Sequence, residues 1–371
     1  MKVIVAGGGT GGHLFPGVAL ADAFREIESG TEIVFMGADR GLETKVIPRL
    51  GYELVTLPIA GIMNMGAMRG FARSVGLMRA VLKAYRLLGR LSPDLVVGVG
   101  GYASVPGVIA ASLRGVPRCI LEQNVIPGRA NLFLSRFAQR IYLGFPTIKP
   151  LFPMGKTVIT GNPIRRQALV SGETGKAAAG ERRTCLLILG GSQGAAQLND
   201  LAMEAVPDLL RGNSSMEVIH QTGTIHGKRV KDHYEMEGVE VEVIPFIQDM
   251  GDYYARADLC LSRAGAMAVS ELAAAGLPAI LIPYPHAAEQ HQRANSRWLE
   301  EFGGAVTIEA AEANPALLQG EIKHLLNSPP LLEKMAAACR RAGTSDAAHR
   351  IAGEEMHRLA GLRQGNQAAG Q

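Results

Sequence analysis

Short apolar runs rich in β-branched residues alternate with stretches of helical period along most of the chain, the pattern of parallel strands buried under helices on both faces. In the first half the strands are expected over Lys2–Ala6, Glu32–Met36, Leu95–Val99 and Arg118–Leu121, with helices over Pro16–Glu26 and Val105–Leu113. A second series follows, with strands over Thr184–Leu189, Glu217–Gln221, Val239–Ile244, Leu259–Ser262 and Pro278–Ile282. Between the two lies a stretch from Thr160 to Arg183. It holds Gly161-Asn162-Pro163 and the small, charged run Ser171–Arg183, and reads as an interdomain connection.

At 371 residues the chain exceeds the size at which one core keeps growing, so two domains are expected. An internal echo supports this. Val3-Ile4-Val5-Ala6 and Leu186-Leu187-Ile188-Leu189 are each followed by a glycine loop and then by a helix pattern. The class is α/β: two Rossmann-like, doubly wound parallel-sheet domains facing across a cleft, over 1–162 and 163–341.

Composition narrows the class further. With 47% hydrophobic and 19% charged residues the chain is globular rather than disordered, apart from the small, polar end 362–371, where disorder is expected. The net charge of +4 gives no reason to invoke nucleic acid. Cys119, Cys185, Cys260 and Cys339 are scattered, without metal-ligand spacing or a disulfide framework, which fits a reducing cytoplasm. The apolar start at Met1-Lys2-Val3-Ile4-Val5 is too short for a signal peptide. The uncharged stretch Leu95–Leu113 has the length of a membrane span but carries Gly98, Gly100, Gly101, Pro106 and Gly107, so it reads as strand, turn and helix start.

A glycine turn between a parallel strand and a helix aims backbone N–H groups at one spot, where the helix dipole also favours an anion. Gly7, Gly9 and Gly12 satisfy the dinucleotide spacing, but the second strand ends at Gly37 instead of an acidic residue, with only Asp39 nearby, so a nicotinamide or flavin enzyme is disfavoured. A further loop, Gly98 to Ser104, carries Tyr102, which either stacks on a sugar or packs beneath the loop. In the second half, Ser262-Arg263-Ala264-Gly265 opens a helix whose second turn holds Glu271. A carboxylate there can accept from two vicinal ribose hydroxyls, and in a largely buried helix it needs a partner.

Six motifs, Gly8-Gly9-Thr10-Gly11-Gly12-His13 with Pro16, Gly100-Gly101-Tyr102, Glu122-Gln123-Asn124, Gly161-Asn162-Pro163 with Arg165, Gly190-Gly191-Ser192-Gln193-Gly194, and Arg263–Glu271, together resemble the MurG family. These are the peptidoglycan N-acetylglucosaminyltransferases that act on undecaprenyl-pyrophosphoryl-muramyl-pentapeptide. The resemblance spans residues 1 to about 350. It implies a GT-B fold, the acceptor held mainly by the N-terminal half, the UDP-sugar mainly by the C-terminal half, and last helices from about Ala342 packing back onto the first domain. It further implies that Ser192 and the amides after it hold the diphosphate. Ile247 and the Arg263–Glu271 segment, with Ala266 and Met267, would hold uridine and ribose, and Gln290 would touch the sugar. Thr10, Gly11, Gly12, Asn124 and Arg165 fall on donor-contact positions. His291 stands where related sequences often carry a second glutamine.

Such a reaction inverts the anomeric centre and needs a base beside the acceptor hydroxyl and stabilisation of the departing diphosphate. His13 is the favoured base, although it could instead bind phosphate or cap its helix; Glu122 is the second candidate, or it orients a loop. A helix N-terminus and Arg165 could hold the leaving group. No Asp-x-Asp pair is present, so a pocket without metal or cofactor is expected. From Ala60 to Arg90 the chain carries Arg69, Arg73, Arg79, Lys83, Arg86 and Arg90 with no acid. These alternate with Ile62, Met63, Met65, Met68, Phe71, Leu77 and Met78, a pattern suited to an anionic lipid surface on the cytoplasmic face of the membrane. Two other readings share the architecture: a non-hydrolysing UDP-N-acetylglucosamine epimerase, and a UDP-sugar-binding regulator without turnover.

Overall fold

The computed structural model describes residues 1–59, 70–146, 151–169, 183–191, 194–213, 215–285 and 290–369, with the side chains of 70–74 and 365–369 left out. Two compact units result, Met1–Arg165 with Asp346–Gln371, and Arg166–Ser345.

The first unit contains β1 (Lys2–Ala6), α1 (Gly11–Ile27), β2 (Glu32–Ala38), α2 (Glu43–Arg49), β3 (Glu53–Leu57), α3 (Gly70–Leu91), β4 (Leu95–Gly98), α4 (Val105–Leu113), β5 (Arg118–Glu122), α5 (Arg129–Leu134), β6 (Arg140–Leu143) and β7 (Thr157–Ile159). The strands form one sheet in the order β3-β2-β1-β4-β5-β6-β7, with every neighbouring pair parallel. Central β1 is covered on both faces. Val3 and Val5 join a core with α1, while Ile4 and Ala6 join a second core with α3 and α4, which is why the strand reads as a continuous apolar run. Helix α1 starts at Gly11, five residues earlier than expected, and takes Pro16 into its second turn. Proline has no N–H, so the helix forgoes the bond that would close on the Gly12 carbonyl.

The second unit contains β8 (Thr184–Leu189), α6 (Ala196–Gly212), β9 (Met216–Gln221), α7 (Gly227–Met236), β10 (Glu242–Ile244), α8 (Met250–Arg256), β11 (Leu259–Ser262), α9 (Ala266–Ala275), β12 (Ala279–Leu281), α10 (His291–Glu301), β13 (Ala305–Thr307), α11 (Pro315–Leu326) and α12 (Pro329–Ala342). Its parallel sheet runs β10-β9-β8-β11-β12-β13. The strand expected from Val239 is shorter: 239–241 precede β10 as irregular backbone after the positive-φ Gly238.

The chain re-enters the first unit as α13 (Ala347–Ala369). Ile351, Ala352 and Leu359 enter the α1 core, the isoleucine and leucine contributing about 1.5–3 kcal/mol each. A buried polar pin completes the docking. The Tyr142 hydroxyl donates to Glu355 Oε1 at 2.9 Å, and Arg358 donates through Nε and Nη2 to Glu355 Oε2 at 2.9 and 2.5 Å. Burial raises the Tyr142 phenol above its usual range. The stretch 362–371, expected to be disordered, continues this helix to Ala369, and Arg363 Nη2 lies 2.6 Å from Asp94 Oδ1. Helical hydrogen bonding carries a small polar sequence on from a well-packed start. The division after Arg165 also moves that residue from the second domain, where the 163–341 boundary put it, into the first unit, where its guanidinium lies 4.1 Å from the Phe15 ring centroid.

Candidate functional site

In an open parallel sheet, ligands bind beyond the carboxyl ends of the strands where the strand order reverses. In the first unit that point lies between β1 and β4, in the second between β8 and β11. The described candidate residues fall at these strand ends, on the loops that follow and in the first two turns of the helices beyond them.

In the first unit, Gly7 and Gly8 both have φ 149° and Gly9 has φ 91°. A Cβ on Gly7 would lie 2.5 Å from Val99 Cγ2, so only glycine lets this loop pass the β4 end. Thr10 is the N-cap of α1, yet its side chain makes no cap bond. Its Oγ1 instead lies 3.1 Å from His13 Nδ1, and the first turn holds no acidic residue. The amides of Gly11 and Gly12 thus open a helix suited to an anion. The His13 ring also lies against the next loop: a Cβ on Gly100 would stand 2.7 Å from His13 Cδ2, and one on Gly101 3.4 Å from Nδ1. Both glycines have positive φ, 91° and 69°, and the missing side chain at Gly100 leaves the space the imidazole occupies. Tyr102 beside them is 53% exposed, so it does not pack beneath its loop.

Glu122, at the end of β5, is 2% exposed. Its Oε1 accepts from Asn124 N at 2.9 Å and Asn124 Nδ2 at 3.2 Å; its Oε2 accepts from Gly128 N at 3.0 Å and Asn131 Nδ2 at 2.9 Å. Four donors surround the carboxylate, and Asn124 is held by two of them. Gln123 between these residues, given no role by the motif it belongs to, is buried and donates Nε2 to Val99 O at 3.0 Å, while its Oε1 has no hydrogen-bond partner among the described residues. Asn162 Nδ2 donates to Gln123 O at 3.0 Å, where Gly144 makes room for it. Arg165 follows on the same strand-end loop, stacked on Phe15 of α1.

In the second unit the loop after β8 is clamped from the neighbouring strand. Gln221, buried at the end of β9, accepts from Gly191 N at 2.9 Å and donates Nε2 to Gly191 O and Pro245 O, both at 3.0 Å. Gly194 has φ 85°, and a Cβ on it would strike Thr222 O at 2.8 Å. Ser192 and Gln193 lie outside the described residues. Behind the loop sits a buried triad: His220 Nδ1 lies 3.0 Å from the Tyr234 hydroxyl and Nε2 lies 3.2 Å from Asn199 Oδ1. Burial pushes the His220 imidazole down to about 3, so it is a neutral structural group.

Arg263, after β11, donates Nη1 to Ile282 O at 3.1 Å and Pro283 O at 3.3 Å, and Nη2 to Gln197 Oε1 at 3.1 Å. Desolvation lowers its pKa, and its bonds tie the loop after β11 to the loop after β12 and to the first turn of α6. Gly265 caps α9 without a side chain, Ala266 is buried and Met267 half-buried behind it. Asn295 Nδ2 holds the Ala264 carbonyl at 3.2 Å. Glu271 is half-buried, and its partner is Tyr254, whose hydroxyl donates to Oε2 at 2.8 Å. Ile247 is buried after β10. Gln290 is exposed with φ 58°, a left-handed conformation that is strained for a residue other than glycine and recurs at functional sites. A separate concavity of about 760 Å³ between Arg183, Glu217, Glu240 and Arg256 opens near the starts of β8 and β9, away from these loops, with Arg256 paired to Glu217 and Glu242.

Comparison with known proteins sets this arrangement in context. Residues 3–143 match the glycosyltransferase family 28 N-terminal domain, and residues 185–351 match the family's C-terminal domain. A Geobacter metallireducens protein named UDP-N-acetylglucosamine–N-acetylmuramyl-(pentapeptide) pyrophosphoryl-undecaprenol N-acetylglucosamine transferase is 40% identical over 363 residues, covering 96% of this chain and 98% of its own. Among solved structures, Acinetobacter baumannii MurG superposes with a TM-score of 0.76 at 30% identity, covering 95% of this chain and 98% of that one. A UDP complex of S. aureus MnaA reaches a TM-score of 0.66 at 14% identity, covering 97% of each chain, a likeness of fold alone.

Proposed function

The chain belongs to glycosyltransferase family 28, and from that premise we propose that it transfers N-acetylglucosamine from UDP-N-acetylglucosamine to the C4 hydroxyl of lipid-linked muramyl-pentapeptide, giving the β1,4 disaccharide, lipid I to lipid II. Identity to the named transferase over nearly the whole length of both chains carries this reading and favours it over an epimerase or a regulator that shares only the architecture.

The two units divide the work. The amides at the β8–α6 loop, with Ser192, and the uncapped start of α9 receive the diphosphate. Glu271, oriented by Tyr254, accepts from the ribose hydroxyls; Ile247, Ala266 and Met267 line the uracil, and Gln290 meets the sugar. In the first unit His13 is the base. With Nδ1 turned to Thr10, Nε2 takes the proton as the C4 oxygen bonds to the anomeric carbon. The anomeric C–O bond breaks at the same centre from the opposite face, its electron pair leaving on UDP, whose charge the helix starts and Arg165 stabilise. Glu122, with its carboxylate surrounded by donors, orients the Asn124 loop instead of moving a proton. Tyr102 offers an exposed ring to the acceptor sugar.

The acceptor's lipid requires the enzyme to work at a bilayer, and among the described residues no helix is long and apolar enough to cross one. Helix α3 exposes Met78 (66%), Leu82 and Tyr85 beside Arg79, Arg86 and Arg90, and the end of α4 adds Leu113 (65%). Arg114 joins the two helices, its guanidinium 4.5 Å from the Tyr85 ring centroid. Apolar side chains among bases suit the anionic cytoplasmic face of a membrane, each charge worth about 1 kcal/mol. Residues 60–69 of the basic segment lie outside the described residues. The decisive assay supplies UDP-N-acetylglucosamine with and without a lipid-linked muramyl-pentapeptide analogue. UDP and disaccharide are expected only with the acceptor; conversion of the UDP-sugar without it identifies an epimerase, and binding without UDP release a regulator.

A further inference from the structure

The second strand of the first unit carries no acid at its end, yet a carboxylate reaches the glycine loop from elsewhere. Glu43, the first residue of α2, is 0% exposed. Its Oε2 accepts from Gly9 N at 2.8 Å, and its Oε1 accepts from Ala38 N at 3.0 Å, so one side chain joins the β1–α1 loop to the end of β2. Glycines from both segments surround it. A Cβ on Gly8 would fall 2.6 Å from the carboxyl carbon, one on Gly37 2.8 Å from Cγ, and one on Gly41 2.4 Å from Oε2. Three missing side chains therefore make the space that the carboxylate fills, and in a close-packed interior such a fit admits no second position. Sterically, the glycines at 8, 37 and 41 are as much the housing of Glu43 as turn residues.

The consequence concerns the face of the loop opposite the carboxylate. With the Gly9 N–H turned inward to Glu43, the following residues are presented outward: Thr10 as N-cap, the Gly11 and Gly12 amides, and His13 at hydrogen-bonding distance from Thr10. We propose that Glu43 is the positioning residue of the transfer reaction, holding the glycine loop from behind so that His13 meets the acceptor hydroxyl at a fixed distance. This rests on the transferase reading given above. Glu43 touches no reacting atom. It acts through Gly9, and misplacing a catalytic group by about 1 Å costs on the order of 100-fold in rate.

The test uses Glu43→Gln, which keeps the volume but turns an amide NH2 toward one of the two backbone donors, with Glu43→Asp, which is one methylene too short to span both. Steady-state kinetics with UDP-N-acetylglucosamine and a lipid-linked acceptor analogue are read together with hydrogen–deuterium exchange of the peptide spanning residues 6–13. In Glu43→Gln, kcat is expected to fall about 10- to 100-fold with donor KM within about threefold, and exchange in that peptide to quicken about tenfold or more while distant peptides stay unchanged. Glu43→Asp is expected to lie between Glu43→Gln and wild type. A kcat within twofold of wild type overturns the proposal, as does a loss of activity matched by faster exchange throughout the first unit, which marks general destabilisation. Wild type assayed alongside separates the two claims: no UDP release from it sinks the transferase reading, whereas the exchange of residues 6–13 still decides whether Glu43 holds the loop.

Discussion

Glu122 is where two readings of one carboxylate part most sharply, and Glu122→Gln separates them. The wild-type carboxylate accepts four N–H groups, two from the backbone of Asn124 and Gly128 and two from the side chains of Asn124 and Asn131, in a position almost closed to water. Glutamine keeps one oxygen and presents an NH2 group in place of the other, so two of the four donors face another donor. The asparagine amides can turn away; Asn131 Nδ2 already has a second acceptor in Leu121 O at 2.8 Å. A backbone N–H cannot turn without moving the loop, and leaving it buried and unpaired costs about 1–3 kcal/mol. With the weaker, uncharged bonds that remain, the total is about 2–3 kcal/mol. For a domain of roughly 150–250 residues this lowers Tm by about 4–12 °C. The assay is a thermal melt of variant and wild type, with kcat measured well below both midpoints. A Tm within about 1 °C of wild type accompanied by a 100-fold loss of kcat would show the carboxylate acting in the chemistry, and the orienting role would be wrong.

His13→Ala truncates a side chain that is only partly buried, so its melting temperature should change less than that of Glu122→Gln while kcat falls about 100- to 10,000-fold; a loss confined to donor KM sinks the base assignment. Replacing Arg79, Arg86 and Arg90 together by Gln should weaken binding to vesicles containing anionic lipid by about 3 kcal/mol, with activity on a water-soluble acceptor analogue preserved. Unchanged vesicle sedimentation rules out this surface as the contact. His220 is held neutral down to about pH 3 in the native state but protonates near pH 6.5 when unfolded. The unfolded state therefore binds the extra proton between these values, and stability falls as pH drops below about 6.5, by up to about 1.4 kcal/mol per unit. Denaturation midpoints of wild type and His220→Gln between pH 6.5 and 5 should converge as pH falls; parallel slopes contradict the argument.

The elements were legible wherever local pattern decides them. Lys2–Ala6, Val105–Leu113, Thr184–Leu189 and Leu259–Ser262 are strands and a helix with the expected bounds, because a segment buried on both faces needs an unbroken apolar run and its glycine or polar flanks stop it. Glycine loops and the motifs that resemble the transferases are likewise contiguous in sequence, so they could be read without knowing any neighbour. The partners of the polar groups were not. Gln221 reaches Gly191 across 30 residues, Tyr254 reaches Glu271 across 17, and Glu43 reaches Gly9 across 34, each because strand order or helix packing brings distant segments side by side. A buried donor or acceptor must be paired, but sequence records only that the need exists. Which group meets it is settled when the sheet is assembled, and that assembly made Glu122 the centre of a loop rather than a free carboxylate.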